Sequence, residues 1–242
     1  MTRTAKDRLI VALDVESVER ALDLFAGLRD LAGMFKVGSQ LFTAAGPDVV
    51  RRIVAQGGRV FLDLKFHDIP NTVAAAAVQA ARLGVSILNL HALGGAEMMK
   101  RAVAAVAETA AREGLSKPKV IAVTLLTSLD IAALEQVGIE REPGFLVRNL
   151  ARAAHACGLD GVVASAHEIG IIRGAVIKPD FLIVTPGIRT AGGGAEDQRR
   201  VMTAAEAVRA GADYVVVGRP ILNAADPLEA ARMIVEEIGT AR

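Results

Sequence analysis

Eight short runs rich in valine, isoleucine and leucine recur along the 242-residue chain, separated by Ala-rich segments whose apolar residues follow helical spacing. Several runs are apolar nearly throughout, which is typical of parallel strands covered on both faces. The runs occupy residues 9–15, 34–39, 59–65, 86–92, 119–127, 161–166, 181–188 and 214–220. Alternating strands and helices of this kind predict an α/β fold with a parallel sheet.

The number of units favours a closed barrel. Eight strand-helix units of about 30 residues use the whole chain, which is the size of an economical (β/α)8 TIM barrel. A doubly wound sheet is the alternative, but it usually has fewer strands and a glycine-rich fingerprint after the first one. The segment ALDVESVER (12–20) contains no glycine. We therefore expect one barrel domain over residues 1–242, with a short extra helix within 129–138.

Composition excludes several classes of protein. The chain has 28 Lys and Arg against 27 Asp and Glu, a balance that argues against a protein built to coat nucleic acid. The 52% hydrophobic content excludes disorder. No apolar run approaches the roughly 18 residues of a membrane span. The one cysteine, Cys157, permits no internal disulfide, which indicates the reducing cytoplasm. Together with the charge balance and the lack of a membrane span, this predicts a soluble cytoplasmic protein without nucleic-acid or membrane partners.

Charged residues fall where a barrel carries its active site, at the C-terminal ends of the strands. Asp14 ends the first run, Lys36 lies in the second, and Asp63 and Lys65 lie two apart in the third, so that both face the barrel interior. Buried charges are unfavourable unless they pair or act on a ligand. A single structural ion pair would explain Asp63 and Lys65, but Lys36 and Asp68 add charges to the same rim and favour a functional array.

Two loops indicate a phosphate site. They are TPGIRTAGGGAEDQRR (185–200), with Arg189 at its root, and the segment around Gly218 and Arg219. The loops after strands 7 and 8 bind phosphate in many barrels. Gly218 allows close approach of the backbone, and Arg219 can bind an anion in bidentate fashion. Arg219 alone could equally be a solvated arginine, but the two loops together favour phosphate.

These motifs together resemble the orotidine 5′-phosphate decarboxylase family. The most specific is LDLKFHDIPNTV (62–73), which contains an Asp-x-Lys-x-x-Asp core that related sugar-phosphate barrels share. The resemblance covers all eight units in order. The other matching segments are ALD (12–14), FKVG (35–38), VTLLTS (123–128), TPGIR (185–189) and VGRPI (217–221).

The resemblance implies a reaction and a set of catalytic residues. Members convert orotidine 5′-phosphate to uridine 5′-phosphate and carbon dioxide, the last step of de novo UMP biosynthesis, without metal or organic cofactor. Lys65 is then expected to protonate the carbanion at C6 of the pyrimidine. Asp63 is expected beside the departing carboxylate, with Lys36 and Asp68 completing an alternating array of charges.

The resemblance also implies the substrate contacts. The expected contacts are Asp14 and Lys36 with ribose hydroxyls, Thr124 and Ser128 with the pyrimidine, and Arg189, Gln198, Gly218 and Arg219 with the phosphate. Asp68 and Thr72 are expected to enter the neighbouring subunit's site, which implies a homodimer with shared active sites. Ser128 could instead be a turn or cap serine, and Thr124 a strand-face hydroxyl without a ligand.

Two other functions compete with decarboxylation. A metal-dependent barrel such as 3-hexulose-6-phosphate synthase shares the Asp-x-Lys-x-x-Asp core, but carries a metal-binding carboxylate where this chain has Lys36. A noncatalytic sugar-phosphate-binding barrel would not need such costly internal charge. Of the histidines, we expect His91 to be a hydrogen-bonded rim residue rather than a general base, and His67 to face away from the site.

Overall fold

The computed structural model describes residues 3–188 and 202–241, and these form a closed barrel of eight parallel strands in sequence order. Each strand pairs with the next, and β8 pairs with β1. The strands are β1 Leu9–Ala12, β2 Met34–Gly38, β3 Val60–Phe66, β4 Ile87–His91, β5 Lys119–Val123, β6 Gly161–Val163, β7 Leu182–Thr185 and β8 Tyr214–Val217. The (β/α)8 prediction is confirmed, and the open doubly wound sheet is excluded.

Helices follow the strands and cover the outside of the barrel. Within the described ranges they are α1 Ala5–Arg8, α2 Val18–Leu28, α3 Ser39–Ala45, α4 Asp48–Ala55, α5 Pro70–Arg82, α6 Gly95–Glu113, α7 Ile131–Gln136, α8 Pro143–Ala156, α9 Ile169–Ala175, α10 Ala204–Ala210, α11 Arg219–Leu222 and α12 Pro227–Gly239. The extra helix expected within 129–138 is α7. None of these helices is both long and apolar enough to cross a membrane.

Strand residues alternate between two apolar layers. One layer fills the inside of the barrel and includes Ile10, Met34 and Phe61. The other packs between the barrel and its helices. It includes Val11 and Leu62, which follow Ile10 and Phe61 in the sequence. This alternation means that a polar side chain in register with the inner layer lies inside the barrel.

Short polar contacts fix the helix ends. Ser17 and Asp226 accept hydrogen bonds from backbone N–H groups in the first turns of α2 and α12, and Thr203 forms a reciprocal cap with Glu206 at α10. Gly211 ends α10 with a φ of 110°, a conformation that L side chains rarely adopt. These contacts fix where α2, α10 and α12 begin and where α10 ends.

A charged cluster closes the N-terminal end of the barrel, opposite the expected site. Asp213, just before β8, forms ion pairs with Arg3 at 2.8 Å and Arg173 at 2.7 Å, and accepts a hydrogen bond from the Ile183 backbone N–H at 2.8 Å. The cluster ties the chain's start, α9 and β7 to β8. At this end of a barrel, such residues serve stability.

Candidate active site

Four charged side chains form a continuous alternating array at the C-terminal mouth of the barrel. The Lys36 ammonium lies 2.8 Å from Asp14 Oδ1 and 3.4 Å from Asp63 Oδ2. The Lys65 ammonium lies 2.8 Å from Asp63 Oδ1. The order is therefore Asp14, Lys36, Asp63, Lys65, with each charge next to charges of opposite sign. Asp63 and Lys65 are therefore not a single isolated ion pair, because Lys36 and Asp14 continue the same array.

Exposure increases from the middle of the array toward its ends. The side chains of Lys36 and Asp63 are each 11% exposed, whereas Lys65 is 38% and Asp14 is 46% exposed. The predicted common inward face of Asp63 and Lys65 is confirmed by their direct contact. The array thus has a buried, fixed centre and two ends that a ligand in the barrel mouth can reach.

Gly38 leaves room for the Lys36 pair. A Cβ at this position would lie 2.9 Å from Lys36 Nζ and 3.2 Å from Asp14 Oδ1, and so would displace one of the two groups. The FKVG segment therefore supplies both a lysine and the space its ammonium occupies.

Asn89 is part of the site, although the sequence did not predict it as a site residue. It is fully buried on β4, its Nδ2 donates to Asp63 Oδ1 at 2.7 Å, and its Oδ1 accepts from the Lys65 backbone N–H at 2.8 Å. The available signal was one amide in the inner register of the apolar run SILNLHA (86–92). That register places it beside Asp63 once β3 and β4 are paired.

The backbone of Lys65 is unusual. Its φ is 51°, and no other non-glycine residue within the described ranges has a positive φ. The pairing of β3 with β4 also shifts here, from Leu62 opposite Leu88 to Phe66 opposite Leu90. Strained backbone of this kind is concentrated at functional sites.

Two histidines lie beside the array. His91 is 8% exposed, accepts a long hydrogen bond from the Leu93 N–H at 3.4 Å, and stacks on His67 with ring centroids 5.3 Å apart. Burial, with the nearby charges of His67 and Lys65, lowers the pKa of His91. The rim position expected for His91 is observed. His67 is exposed with its ring against His91, and the expectation that it faces away from the site stays a prediction.

Asp68 and Thr72 are exposed and lie apart from the array. Asp68 is on the loop after β3, where its carboxylate accepts a hydrogen bond from the Ile69 N–H at 2.6 Å. Thr72 lies in the first turn of α5. Within the described part of the chain, neither side chain touches the four charges, so Asp68 does not complete the array within one subunit.

The two residues expected at the pyrimidine differ in accessibility. Thr124 is fully buried just beyond β5, and its hydroxyl donates to the Val163 carbonyl at 3.1 Å, so this hydroxyl does not reach the mouth. Ser128 is exposed in the turn before α7. Asp130, not Ser128, caps α7 by accepting from the Ala133 N–H. Ser128 is thus a turn serine, as the alternative allowed, but it does not cap α7, and its side chain is accessible.

The expected phosphate residues are described only in part. Gly218 directly follows β8. A Cβ at this position would approach Ala12 and, at 3.8 Å, the Asp14 carboxylate. Arg219 is exposed at the start of α11. Both thus lie on the Asp14 side of the mouth. Arg189, Gln198 and Gly192 to Gly194 lie outside the described residues.

The chain matches one family of proteins over nearly its full length. Residues 7–234 match the family model described as "Orotidine 5'-phosphate decarboxylase / HUMPS family". Curated relatives named orotidine 5′-phosphate decarboxylase include one from Moorella thermoacetica, 57% identical with 97% of this chain and 93% of the relative covered. Another, from Geobacter sulfurreducens, is 56% identical with 98% and 99% covered.

Solved structures agree with this assignment. The crystal structure of orotidine 5′-phosphate decarboxylase from Lactobacillus acidophilus is 39% identical, covers 96% of this chain and 99% of its own, and superposes with a TM-score of 0.83. A structure of an uncharacterised conserved protein from Geobacillus kaustophilus has a TM-score of 0.79 at 38% identity. The fold, the charge array and the similarity along the sequence lead to one conclusion: this chain belongs to the orotidine 5′-phosphate decarboxylase / HUMPS family.

Proposed function

We propose that the protein decarboxylates orotidine 5′-phosphate to uridine 5′-phosphate, the closing step of de novo pyrimidine nucleotide synthesis. The observation that carries the proposal is the alternating array, with a carboxylate and an ammonium held 2.8 Å apart at the barrel mouth. Curated relatives that bear this name include several that are 52% to 57% identical to the chain.

The reaction needs positive charge where the substrate becomes negative. The bond between C6 and the carboxylate breaks, carbon dioxide leaves, and the electron pair stays on C6 with little delocalisation. A preorganised ammonium beside C6 stabilises that charge without reorganisation. Lys65 is the proposed group, because its side chain is 38% exposed at the mouth and its ammonium is held 2.8 Å from Asp63 Oδ1. It then donates a proton to C6 and is reprotonated from solvent.

Asp63 and Lys36 are proposed to hold this ammonium in place. Asp63 receives Lys65 on one oxygen and faces Lys36 with the other. A nearly buried carboxylate with these partners is held in one position, and it is proposed to lie beside the substrate's departing carboxylate. Preorganisation of this kind lowers the barrier only if the groups do not rearrange during the reaction.

The remaining contacts orient the nucleotide. Asp14 and Lys36 are proposed to bind ribose hydroxyls, and Ser128 the pyrimidine edge, since a hydroxyl both donates and accepts. Thr124 supports that segment through its bond to Val163. For the phosphate we propose Gly218 and Arg219 with Arg189 and Gln198. Binding energy from the phosphate then helps to hold the reacting ring in the array.

We infer that the enzyme is a homodimer with shared sites. Asp68 and Thr72 are exposed and apart from their own subunit's array. The exposed Ile69, at 67%, lies between them in sequence. An aspartate delivered from a second subunit would add the fourth group of the expected catalytic set, Lys36, Asp63, Lys65 and Asp68.

A reducing cytoplasmic location is proposed from the one cysteine. Cys157 is 8% exposed at the end of α8, and burial raises the pKa of its thiol. A protonated, buried thiol is unreactive.

The decisive experiment is incubation of the purified protein with orotidine 5′-phosphate, with and without EDTA, following the loss of orotate absorbance. Turnover that EDTA leaves unchanged is the expected result. Folded protein without turnover would refute the proposed function. Turnover abolished by EDTA would contradict the cofactor-independent reaction and indicate a metal site like that of the metal-dependent barrels, which Lys36 on β2 disfavours because an ammonium repels a divalent cation.

A further inference from the structure

Asn89 occupies a buried position between the two strands that carry the catalytic groups. It lies on β4 in register with Ile87, which belongs to the apolar layer inside the barrel. Its exposure is 0%, and both ends of its amide are hydrogen-bonded to β3. A buried amide that satisfies both its donor and its acceptor within one site specifies the geometry of its partners.

The acceptor end holds the backbone of Lys65. Between the pairs Leu62 with Leu88 and Phe66 with Leu90, three residues of β3 face Asn89 alone, so the regular ladder is interrupted. The Asn89 carbonyl oxygen takes the Lys65 N–H at 2.8 Å. The positive φ of Lys65 is unfavourable for a side chain of this kind and persists only where neighbouring groups impose it.

The donor end holds the carboxylate of Asp63. Asp63 Oδ1 receives two donors, Lys65 Nζ at 2.8 Å and Asn89 Nδ2 at 2.7 Å. The Lys65 ammonium is partly exposed and is proposed to contact the substrate as well, whereas Asn89 is fully buried and uncharged and bonds only to β3. Asn89 is therefore the partner that keeps Asp63 in place while Lys65 acts.

We propose that Asn89 is a positioning residue for the decarboxylation, because one amide fixes both the Asp63 carboxylate and the backbone from which Lys65 reaches its substrate. Its effect on turnover rests on the proposed function, and its effect on geometry does not. The two can be measured separately.

The first test compares Asn89→Ala with Ile87→Ala, a truncation in the same strand and inner layer that does not touch the array. Asn89→Ala is expected to lower kcat by about 100-fold, with KM changed less than about threefold, because misplacement of a reacting group by about 1 Å has this effect. Ile87→Ala is expected to lower the Tm at least as much and to keep kcat within about threefold of wild type. Equal losses of kcat in both variants would overturn the proposal.

The second test is the pH dependence of Asn89→Asp, which also carries the kinetic test if Asn89→Ala does not fold. This nearly isosteric change keeps the acceptor for the Lys65 N–H and places a second carboxyl group against Asp63. Two carboxyl groups this close share a proton at low pH and lose it as the pH rises. With the shared proton the new group donates to Asp63 as the amide did; without it, the two charges repel.

The activity of Asn89→Asp relative to wild type is therefore expected to fall at least about tenfold between about pH 5.5 and pH 8.5. For Asn89→Ala the same ratio is expected to stay flat. A ratio for Asn89→Asp that does not depend on pH would overturn the proposal, because a merely structural loss scales activity equally at all pH values.

A crystal structure of Asn89→Asp at the high end of this range tests the geometry without any assay. We expect Lys65 or the Asp63 carboxylate to move from its wild-type position. If both keep their positions, the proposal fails whatever reaction the protein catalyses. The orotidine 5′-phosphate assay on wild type, run alongside, shows separately whether the proposed function holds.

Discussion

At the scale of single residues, the site depends on an ammonium that is accessible on one side and paired on the other. Lys65→Ala removes the group proposed to stabilise and protonate C6, and is expected to lower kcat/KM by about 1,000-fold or more. Lys119→Ala is the matched control, because Lys119 begins β5 at the opposite end of the barrel and pairs with Asp160 at 2.8 Å. Measuring the steady-state turnover of orotidine 5′-phosphate by both variants tests this prediction. Loss of activity in the control as well would contradict a local effect.

His91 makes the stability of the protein depend on pH. Burial and the nearby His67 and Lys65 lower its pKa below the ordinary 6.5, so the folded state binds this proton less readily than the unfolded state. The contribution is complete above about pH 6.5 and is lost as the pH falls through the two pKa values. Urea unfolding at pH 7.5 and pH 5 is expected to show a smaller loss of stability for His91→Gln than for wild type. An equal loss in both proteins would contradict this assignment.

Part of the site could be predicted from residue patterns. The spacing of Asp63 and Lys65 predicted a shared inward face, and their contact confirms it. Asn89 could not be singled out, because an amide in an apolar run fits a satisfied core residue equally well. The left-handed backbone of Lys65 could not be predicted either. It accompanies the irregular pairing of β3 with β4, which depends on both strands and not on the sequence of β3 alone.

At the scale of elements, the N-terminal end of the barrel carries stability and the other end carries function. Asp213→Asn would weaken two ion pairs with Arg3 and Arg173 while keeping the shape of the side chain. We expect it to lower the free energy of unfolding by about 2 kcal/mol, since the cluster is only partly buried. Turnover should stay unchanged. Denaturant unfolding with a parallel activity assay measures both, and an inactive but stable variant would contradict this division.

The existence of each strand could be predicted, but its end could not. The run 119–127 predicted a strand that in fact stops at Val123. Leu125 lies beyond that end and is still only 4% exposed. Apolar sequence reports burial, whereas a strand ends where its hydrogen bonds with both neighbours end. The first residues after β5 are therefore packed although they lie beyond the strand.

At the scale of the whole molecule, shared sites make subunit exchange measurable. Asp68→Ala and Lys65→Ala should each be inactive alone, because each lacks one group of every composite site. Mixed in equal amounts and allowed to exchange, they should regain about a quarter of wild-type activity, since half the dimers are mixed and each holds one intact site. No recovery after demonstrated exchange would contradict the shared site.

The barrel itself could be predicted by counting, because eight strand-helix units leave little of the 242 residues unassigned. The assembly could not be predicted in the same way. Asp68 and Thr72 are exposed in one subunit, and exposure alone does not identify a partner. Only the family resemblance indicated which surface a second copy would meet.

The alternation of signs in the array determines how far its influence extends. Two lysines and two aspartates in sequence carry no net charge, so their potential cancels within a few ångströms instead of reaching into solvent. An anionic nucleotide approaching the barrel is therefore not drawn in by the groups that act on it. Attraction over a Debye length is left to arginines such as Arg219. Added salt should slow capture of the substrate while leaving the chemical step almost untouched.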